Sequence, residues 1–302
     1  MTKEISTKPF IKWAGGKGQL LTQLEKHLPR QIYYEDFAYF EPFVGGGAML
    51  FFMLETFPNI KQVVINDINA HLTSLYSVIK NNVVELIAEL KYIETEYLNL
   101  RCEEARKEYY LEMRSLFNTE SVVDLKKAAI FVFLNRTCFN GLYRENSKGF
   151  FNVPFGKYAH PTICNEDLLF ADSELLNRYD VRILTGDYKE TIHFVNSSIP
   201  NFFYFDPPYR PLNATSSFNT YVKEPFNDDS QRELADFCKR ISSIDNVLWM
   251  LSNADCSAKN PEDLFFETIY RDFNINRVYA SRAINSNPDK RGKLTELLIC
   301  NY

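Results

Sequence analysis

Four short apolar runs in this chain each stop on an aspartate or an asparagine: "KQVVIND", "YDVRILTGD", "NFFYFD" and "NVLWMLSNAD". A fifth, in "YFEPFVGGGAMLFFML", runs from an aromatic strand end through Gly45-Gly46-Gly47 into an apolar helix. Runs this short and this continuously apolar are strands covered on both faces, which in practice means a largely parallel sheet under helices. Polar residues at the carboxyl ends of such strands are where doubly wound sheets hold ligands. The pattern therefore restricts the chain to an α/β fold and already points to the edge where a site must lie.

The first 70 residues read as loop, helix, strand, glycine turn, helix and strand, a βαβ unit. From His71 the spacing becomes helical, with Leu72, Leu75, Ile79, Val83, Leu86, Leu90 and Ile93 recurring every three or four residues, and further helices fit 103–117 and 121–135. "NRTCFNGLYRENSKGFFNVPFGKYAH" is too rich in Gly, Asn and Pro for a long regular element and reads as an exposed recognition loop. The strand-like runs then resume, with helical "DDSQRELADFCKRISSI" between the last two, and "INRVYASRAI" and "LTELLICNY" pair as an antiparallel hairpin on the sheet edge. The expected organisation is a catalytic domain of residues 1–70 and 171–302, with residues 71–170 inserted as a mostly helical domain.

At 302 residues and 45% hydrophobic, the chain can bury a large core. No stretch approaches the roughly 18 apolar residues of a membrane span and the N-terminus lacks a signal-peptide pattern, so a cytoplasmic protein without a membrane partner is expected. The six cysteines form no Cys-x-x-Cys pair, which suggests neither a metal site nor a disulfide framework. A net charge of -5 leaves binding to phosphate dependent on where the cations cluster.

Three glycines at a strand-to-helix turn let a ligand approach the backbone, and Asp67 stands 20 residues beyond Gly47 at the next strand end, where an acid can meet ribose hydroxyls. The triplet is not Gly-x-Gly-x-x-Gly, which disfavours a dehydrogenase. "WAGGKGQ" fails as a phosphate loop because Ile11 stands where glycine is required and Gly18 where a hydroxyl is required. The nucleoside cofactor that remains is S-adenosylmethionine. It also gives "YFDPPYRPL" a purpose beyond stopping a strand. The exocyclic amine of adenine is a poor nucleophile because its lone pair is delocalised. The Asp206 carboxylate and the Pro207 carbonyl, held rigid by Pro207-Pro208, can accept both amino hydrogens and relocalise that pair, while Tyr209 offers a face on which an extruded base stacks.

These motifs, with "PFIKWAGGK", "VINDIN" and "LSN", resemble in kind and order the Dam-type, alpha-group DNA adenine N6-methyltransferases, across nearly the whole chain. The resemblance implies a Rossmann-like methyltransferase sheet with an inserted target-recognition domain, and methylation of adenine N6 in duplex DNA, in GATC or another short site. A catalytically silent nucleic-acid-binding protein on the same fold is the reading from a different class. By resemblance Trp13, Lys17, Asp67 and Asp206 contact the cofactor, Phe43 and Gly45 line its loop, and Asp187 and Tyr188 sit beside its adenine ring. A partner restriction endonuclease encoded nearby, without a stable complex, would fit such an enzyme.

Residues 135–160 hold Arg136, Arg144, Lys148 and Lys157 against one acid, Glu145, interleaved with Phe139, Tyr143, Phe150, Phe151, Phe155 and Tyr158. Residues 282–293 repeat the excess with Arg282, Lys290, Arg291 and Lys293 against Asp289. Local basic and aromatic clusters in an acidic chain suit phosphate contact with base wedging. By resemblance Lys12, Leu142, Arg144 and Pro154 read base edges or a thymine methyl, and Phe139 and Asn140 wedge where the adenine has left. Lys157 and Tyr158 complete the expected DNA contacts.

Overall fold

The computed structural model describes residues 7–119, 124–210, 226–280 and 294–302. The second basic stretch, 282–293, and the end of "YFDPPYRPL" at Pro211 and Leu212 lie outside the described residues. The strands are β1 (Phe37–Glu41), β2 (Ile60–Asp67), β3 (Val181–Thr185), β4 (Asn201–Phe205), β5 (Val247–Ala254), β6 (Asn274–Ala280) and β7 (Leu294–Cys300). They form one sheet in the order β3-β2-β1-β4-β5-β7-β6. β1 to β5 pair in parallel, and β7 pairs antiparallel with both β5 and β6. The sheet is doubly wound as expected. The terminal hairpin joins it through its second strand, so β6 rather than β7 forms the edge.

Every residue of β1 and β4 is buried, because both faces of these central strands are covered. Successive side chains divide between the faces. Tyr39, Phe202 and Tyr204 join the apolar cluster on one side, and Phe40, Phe203 and Phe205 join the cluster on the other. On that second side, Phe40 stacks on Phe203 with centroids 4.2 Å apart, under α8 (Asp228–Ile241). α8 starts where it does because the Asn227 side chain accepts from Ser230 N at 3.0 Å. Asp228 and Asp229 in its first turn and Lys239 and Arg240 in its last complement the helix dipole.

The first side is covered by α2 (Ala48–Thr56), α3 (Ala70–Asn81) and α7 (Glu166–Arg178). The apolar repeat that begins at His71 is not one helix. It breaks at Asn82, and α4 (Val83–Asn99) continues it in a new direction beside α5 (Glu103–Phe117) and α6 (Asp124–Thr137). Residues 121–123, the expected start of the last of these, lie outside the described residues. α3 stays with the sheet: the Thr73 and Thr185 hydroxyls lie 2.6 Å apart, and Lys80 donates to the Val181 carbonyl at 2.7 Å. One apolar cluster runs without interruption from β1 and β4 through α3 into α4, α5 and α6, which fixes the helical segment's orientation to the sheet. α6 is buried almost all round, from Ala128 through Asn135, and is the spine of that segment.

Candidate active site and nucleic-acid interface

β1 and β4 are neighbours, but the chain leaves β1 toward β2 and β4 toward β5, and this reversal opens a crevice beyond the carboxyl ends of the strands. The glycine loop borders it on one side. Gly45 and Gly47 hold φ of +49° and +80°, and a Cβ on Gly45 would stand 2.9 Å from the Trp13 ring. Asp67 braces this loop, its Oδ2 accepting from Gly45 N at 3.1 Å and its Oδ1 from Asn69 N at 2.9 Å. Burial raises the Asp67 pKa against these backbone donors, which lower it. Tyr76 Oη donates to the Gly45 carbonyl at 3.1 Å, and Asn66 Nδ2 ties the Pro42 and Gly186 carbonyls together at 3.0 Å each. Phe43 packs on Tyr188 with centroids 5.0 Å apart. Among the described residues the buried Tyr188 hydroxyl has no partner, whereas Asp187 is exposed and caps Lys189 N at 2.9 Å.

Across the crevice, Asp206 follows β4 directly. Lys17, only 5% exposed, reaches it from the N-terminal loop. Lys17 Nζ stands 2.9 Å from Asp206 Oδ1, 3.9 Å from Glu296 Oε2 and 4.5 Å from the Tyr209 ring centre, and it donates to the Gly15 carbonyl at 2.9 Å. Lys17 and Asp206 form an ion pair at hydrogen-bond length, and the buried Oδ1 has a further lone pair to offer. Burial raises the Asp206 pKa above the usual carboxylate range; the Lys17 ammonium opposes this and the Glu296 carboxylate adds to it. Pro207 is buried and Pro208 exposed. Gln231 of α8 donates to the Pro208 carbonyl at 2.9 Å and accepts from Asn253 Nδ2 at 3.0 Å. Arg210 clamps the end of the motif on Asp228 and Asp263 and lies 4.6 Å over the Phe265 ring. Among the described residues, no donor occupies the Pro207 carbonyl.

The contacts thus group Trp13, Gly45 and Asp67, Phe43 and Tyr188, and Lys17, Asp206 and Tyr209, with Asp187 exposed. Sequence reasoning passed over Glu296, Gln231 and Glu41. Glu296 carried a signal, being the one acid in the apolar run of β7. Gln231 looks like a surface residue of an amphipathic helix and is fully buried. Glu41 is 2% exposed and accepts from Tyr39 Oη at 2.8 Å, and burial pushes its pKa far upward.

A second surface adjoins the crevice. The loop after α6 is pinned from below: Tyr110 Oη donates to the Val153 carbonyl at 2.8 Å, Tyr97 Oη to that of Tyr158 at 2.6 Å, and Asn118 brackets Phe151. Tyr143 and Phe151 are only 3% and 2% exposed. These two aromatics belong to the core, correcting the expectation that the whole loop is an exposed wedge; helices α5 and α6 supply an apolar floor that composition does not reveal. Phe139, Asn140, Leu142, Phe150 and Pro154 do face outward. Phe139 N donates to the Pro154 carbonyl at 2.8 Å, and Asn140 takes the left-handed φ of 56° that turns the tip. Lys12 joins this surface, its backbone N held by Asn135 Oδ1 at 2.8 Å and its ammonium 5.2 Å over the Tyr158 ring. Arg144 is exposed and braced by Asn152, with Nε on the side chain at 2.7 Å and Nη2 on the carbonyl at 3.2 Å. Its Nη1–Nη2 end remains presented. Lys157 is paired at 2.8 Å with Glu103. Trp13, between the surfaces, packs 5.6 Å from Tyr143.

The chain is similar to known proteins over nearly its whole length. The family model described as D12 class N6 adenine-specific DNA methyltransferase matches residues 13–284. The type II methyltransferase M.MjaIII of Methanocaldococcus jannaschii is 46% identical over 302 residues, covering 99% of this chain and 100% of its own length. The type II methyltransferase M1.LlaDCHI of Lactococcus lactis subsp. cremoris is 37% identical, covering 99% and 97%. The DNA adenine methylase of Haemophilus influenzae is 33% identical, covering 98% and 94%.

Proposed function

The chain belongs to the D12 class of N6 adenine-specific DNA methyltransferases, and on that premise we propose that it methylates an adenine extruded from duplex DNA in the sequence GATC. The fold is the Rossmann-like methyltransferase sheet, and the enzyme depends on S-adenosylmethionine. When bound, this cofactor supplies a methyl group made electrophilic by its sulfonium. The residues present fit it: the positive φ of Gly45 and Gly47 strips the loop of side chains, and the Tyr188 hydroxyl and Asp206 Oδ1 are buried polar atoms with acceptor or donor capacity left over. Trp13, Lys17, Phe43, Gly45, Asp67, Asp187, Tyr188 and Asp206 would hold it.

The observation that carries the catalytic reading is the division of labour in the Asp206-Pro207-Pro208-Tyr209 motif. Gln231 engages the Pro208 carbonyl and so fixes the turn, while Asp206 Oδ1 and the Pro207 carbonyl keep acceptor capacity. These two acceptors take the amino hydrogens of the target adenine and turn the nitrogen lone pair toward the methyl group. Asp206 and the Pro207 carbonyl would hold the nitrogen while the bound cofactor supplied the methyl group, and the surplus proton would pass to solvent. Tyr209 stacks on the extruded base.

Residues 71–170 act as the target-recognition domain, a functional division laid over a continuous core in which α3 also covers the sheet. Phe139 and Asn140 fill the gap left by the base, Lys12, Leu142, Arg144 and Pro154 meet base edges, and Tyr158 and Lys157 support the backbone contact, Lys157 by exchanging Glu103 for phosphate. The higher identity to two type II methyltransferases supports a protective role in the cytoplasm beside a partner endonuclease encoded nearby. Methylation-sensitive sequencing of plasmid DNA from cells expressing the chain tests the target; an unmodified GATC refutes it. Asp206→Ala is expected to abolish transfer and leave duplex binding largely intact. Transfer within tenfold of wild type would remove Asp206 from the catalytic role.

A further inference from the structure

Strand β7 brings an acid to the mouth of the site from the opposite end of the chain. Glu296 lies opposite Ala254 of β5 and Val278 of β6, with its side chain 14% exposed on a strand whose next four residues are buried. Such a position favours an apolar residue, and a carboxylate there is costly unless it is engaged. Its partner is the Tyr209 hydroxyl, which donates to Oε2 at 2.7 Å. Among the described residues the cation nearby is Lys17, which stands 3.9 Å from the same oxygen and 4.5 Å over the Tyr209 ring. Tyr209 is therefore held through its hydroxyl from one side and its ring from another.

We propose that Glu296 is a positioning residue for methyl transfer, acting through the Tyr209 hydroxyl to fix the ring on which the target base stacks. The inference rests on the stacking role proposed above for Tyr209. A phenol ring at the end of a proline turn can swing about its side-chain torsions, and a stacking face that moves does not hold an amine in line with a methyl group. A hydrogen bond to a carboxylate is stronger than one between neutral groups, and in a partly closed site it removes that motion before the base arrives. Glu296 touches neither reacting atom.

The test is a set of steady-state measurements on the full chain with a duplex bearing its methylation site, using Glu296→Ala, Glu296→Gln, Tyr209→Phe and the two double variants with Tyr209→Phe. Loss of one hydrogen bond to a charged acceptor predicts a fall in kcat of about tenfold or more for Glu296→Ala, with KM for S-adenosylmethionine changed less than about threefold. Glu296→Gln keeps an acceptor for the phenol and should recover kcat to within about threefold of wild type. Tyr209→Phe should cost about as much as Glu296→Ala, and combining them should cost no more than either alone. Should Glu296→Ala unfold at the assay temperature, the comparison passes to Glu296→Gln, which must change kcat by less than about twofold once the hydroxyl is gone. Multiplicative losses in the double variants, or Glu296→Gln as impaired as Glu296→Ala, overturn the inference. Asp206→Ala in the same assay separates the two levels of the argument. If it retains transfer, the active-site reading fails. If it is inactive while the cycle is multiplicative, only the role of Glu296 fails.

Discussion

Gly47→Ala should unsettle both the stability of the fold and the cofactor loop, for a reason that resides in one distant atom. Gly47 adopts φ +80°, and a Cβ there would stand 2.3 Å from Tyr76 Oη. That hydroxyl is the donor to the Gly45 carbonyl. Placing a side-chain residue in left-handed backbone costs about 1 to 2 kcal/mol. Pushing the hydroxyl aside forfeits its hydrogen bond, a further loss of about 1 kcal/mol or more for a partly buried acceptor. Together the substitution should destabilise by about 3 kcal/mol. Tyr76→Phe alone should cost about 1 to 2 kcal/mol by leaving the carbonyl unpartnered. With the hydroxyl gone, the nearest Tyr76 atom to the new methyl is the ring carbon Cζ at 3.4 Å, an ordinary contact. The double variant should then be at least about 1 kcal/mol more stable than the sum of the single losses implies. Urea unfolding of the four proteins measures this. Gly18→Ala, where a Cβ meets nothing within 4 Å, serves as the neutral control. Additive losses, or a Gly47→Ala loss no greater than that of Gly18→Ala, would refute the reasoning.

Asp67→Ala removes both the brace on Gly45 N and the acid assigned to the ribose, so calorimetry should show S-adenosylmethionine binding weakened by roughly one to two decades; unchanged affinity would leave Asp67 as a strand-end cap. Arg144→Ala should relax the choice at one guanine by about 1 to 3 kcal/mol of discrimination, read as methylation of single-substitution variants of GATC at fixed salt. A uniform drop at every site would make Arg144 a phosphate contact instead. Asp172 is fully buried, its Oδ2 has no partner among the described residues, and burial pushes its pKa up to about 8. Because the folded state holds that proton to higher pH than the unfolded chain, the stability Asp172 contributes is complete below the unfolded pKa and lost as pH rises through about 8. Asp172→Asn should therefore gain on wild type steadily between pH 5 and pH 8, and a difference in unfolding free energy that stays flat across that range would count against a buried neutral carboxyl.

Local pattern determined a good part of this protein. Apolar runs ending in Asp or Asn specify parallel strands with their polar ends at one edge, largely buried in β2, β4 and β5 but half-exposed in β3, whose place at the sheet edge the run does not reveal. The glycine triplet, Asp67 and the Asp-Pro-Pro-Tyr turn were legible because each acts through its own backbone or the residue beside it. Tertiary structure alone decided which residues serve those motifs from far away. Lys17 meets Asp206 and Glu296 across 189 and 279 positions of chain, and Gln231 reaches Pro208 because α8 packs beneath the turn. The outward and inward aromatics of the recognition loop are the sharpest case. Phe150 and Phe151 are neighbours of identical chemistry, yet the first is 45% exposed and the second 2%. Nothing in their composition separates them; Asn118 on the helical segment binds the backbone of Phe151 and turns one ring into the core and the other toward solvent.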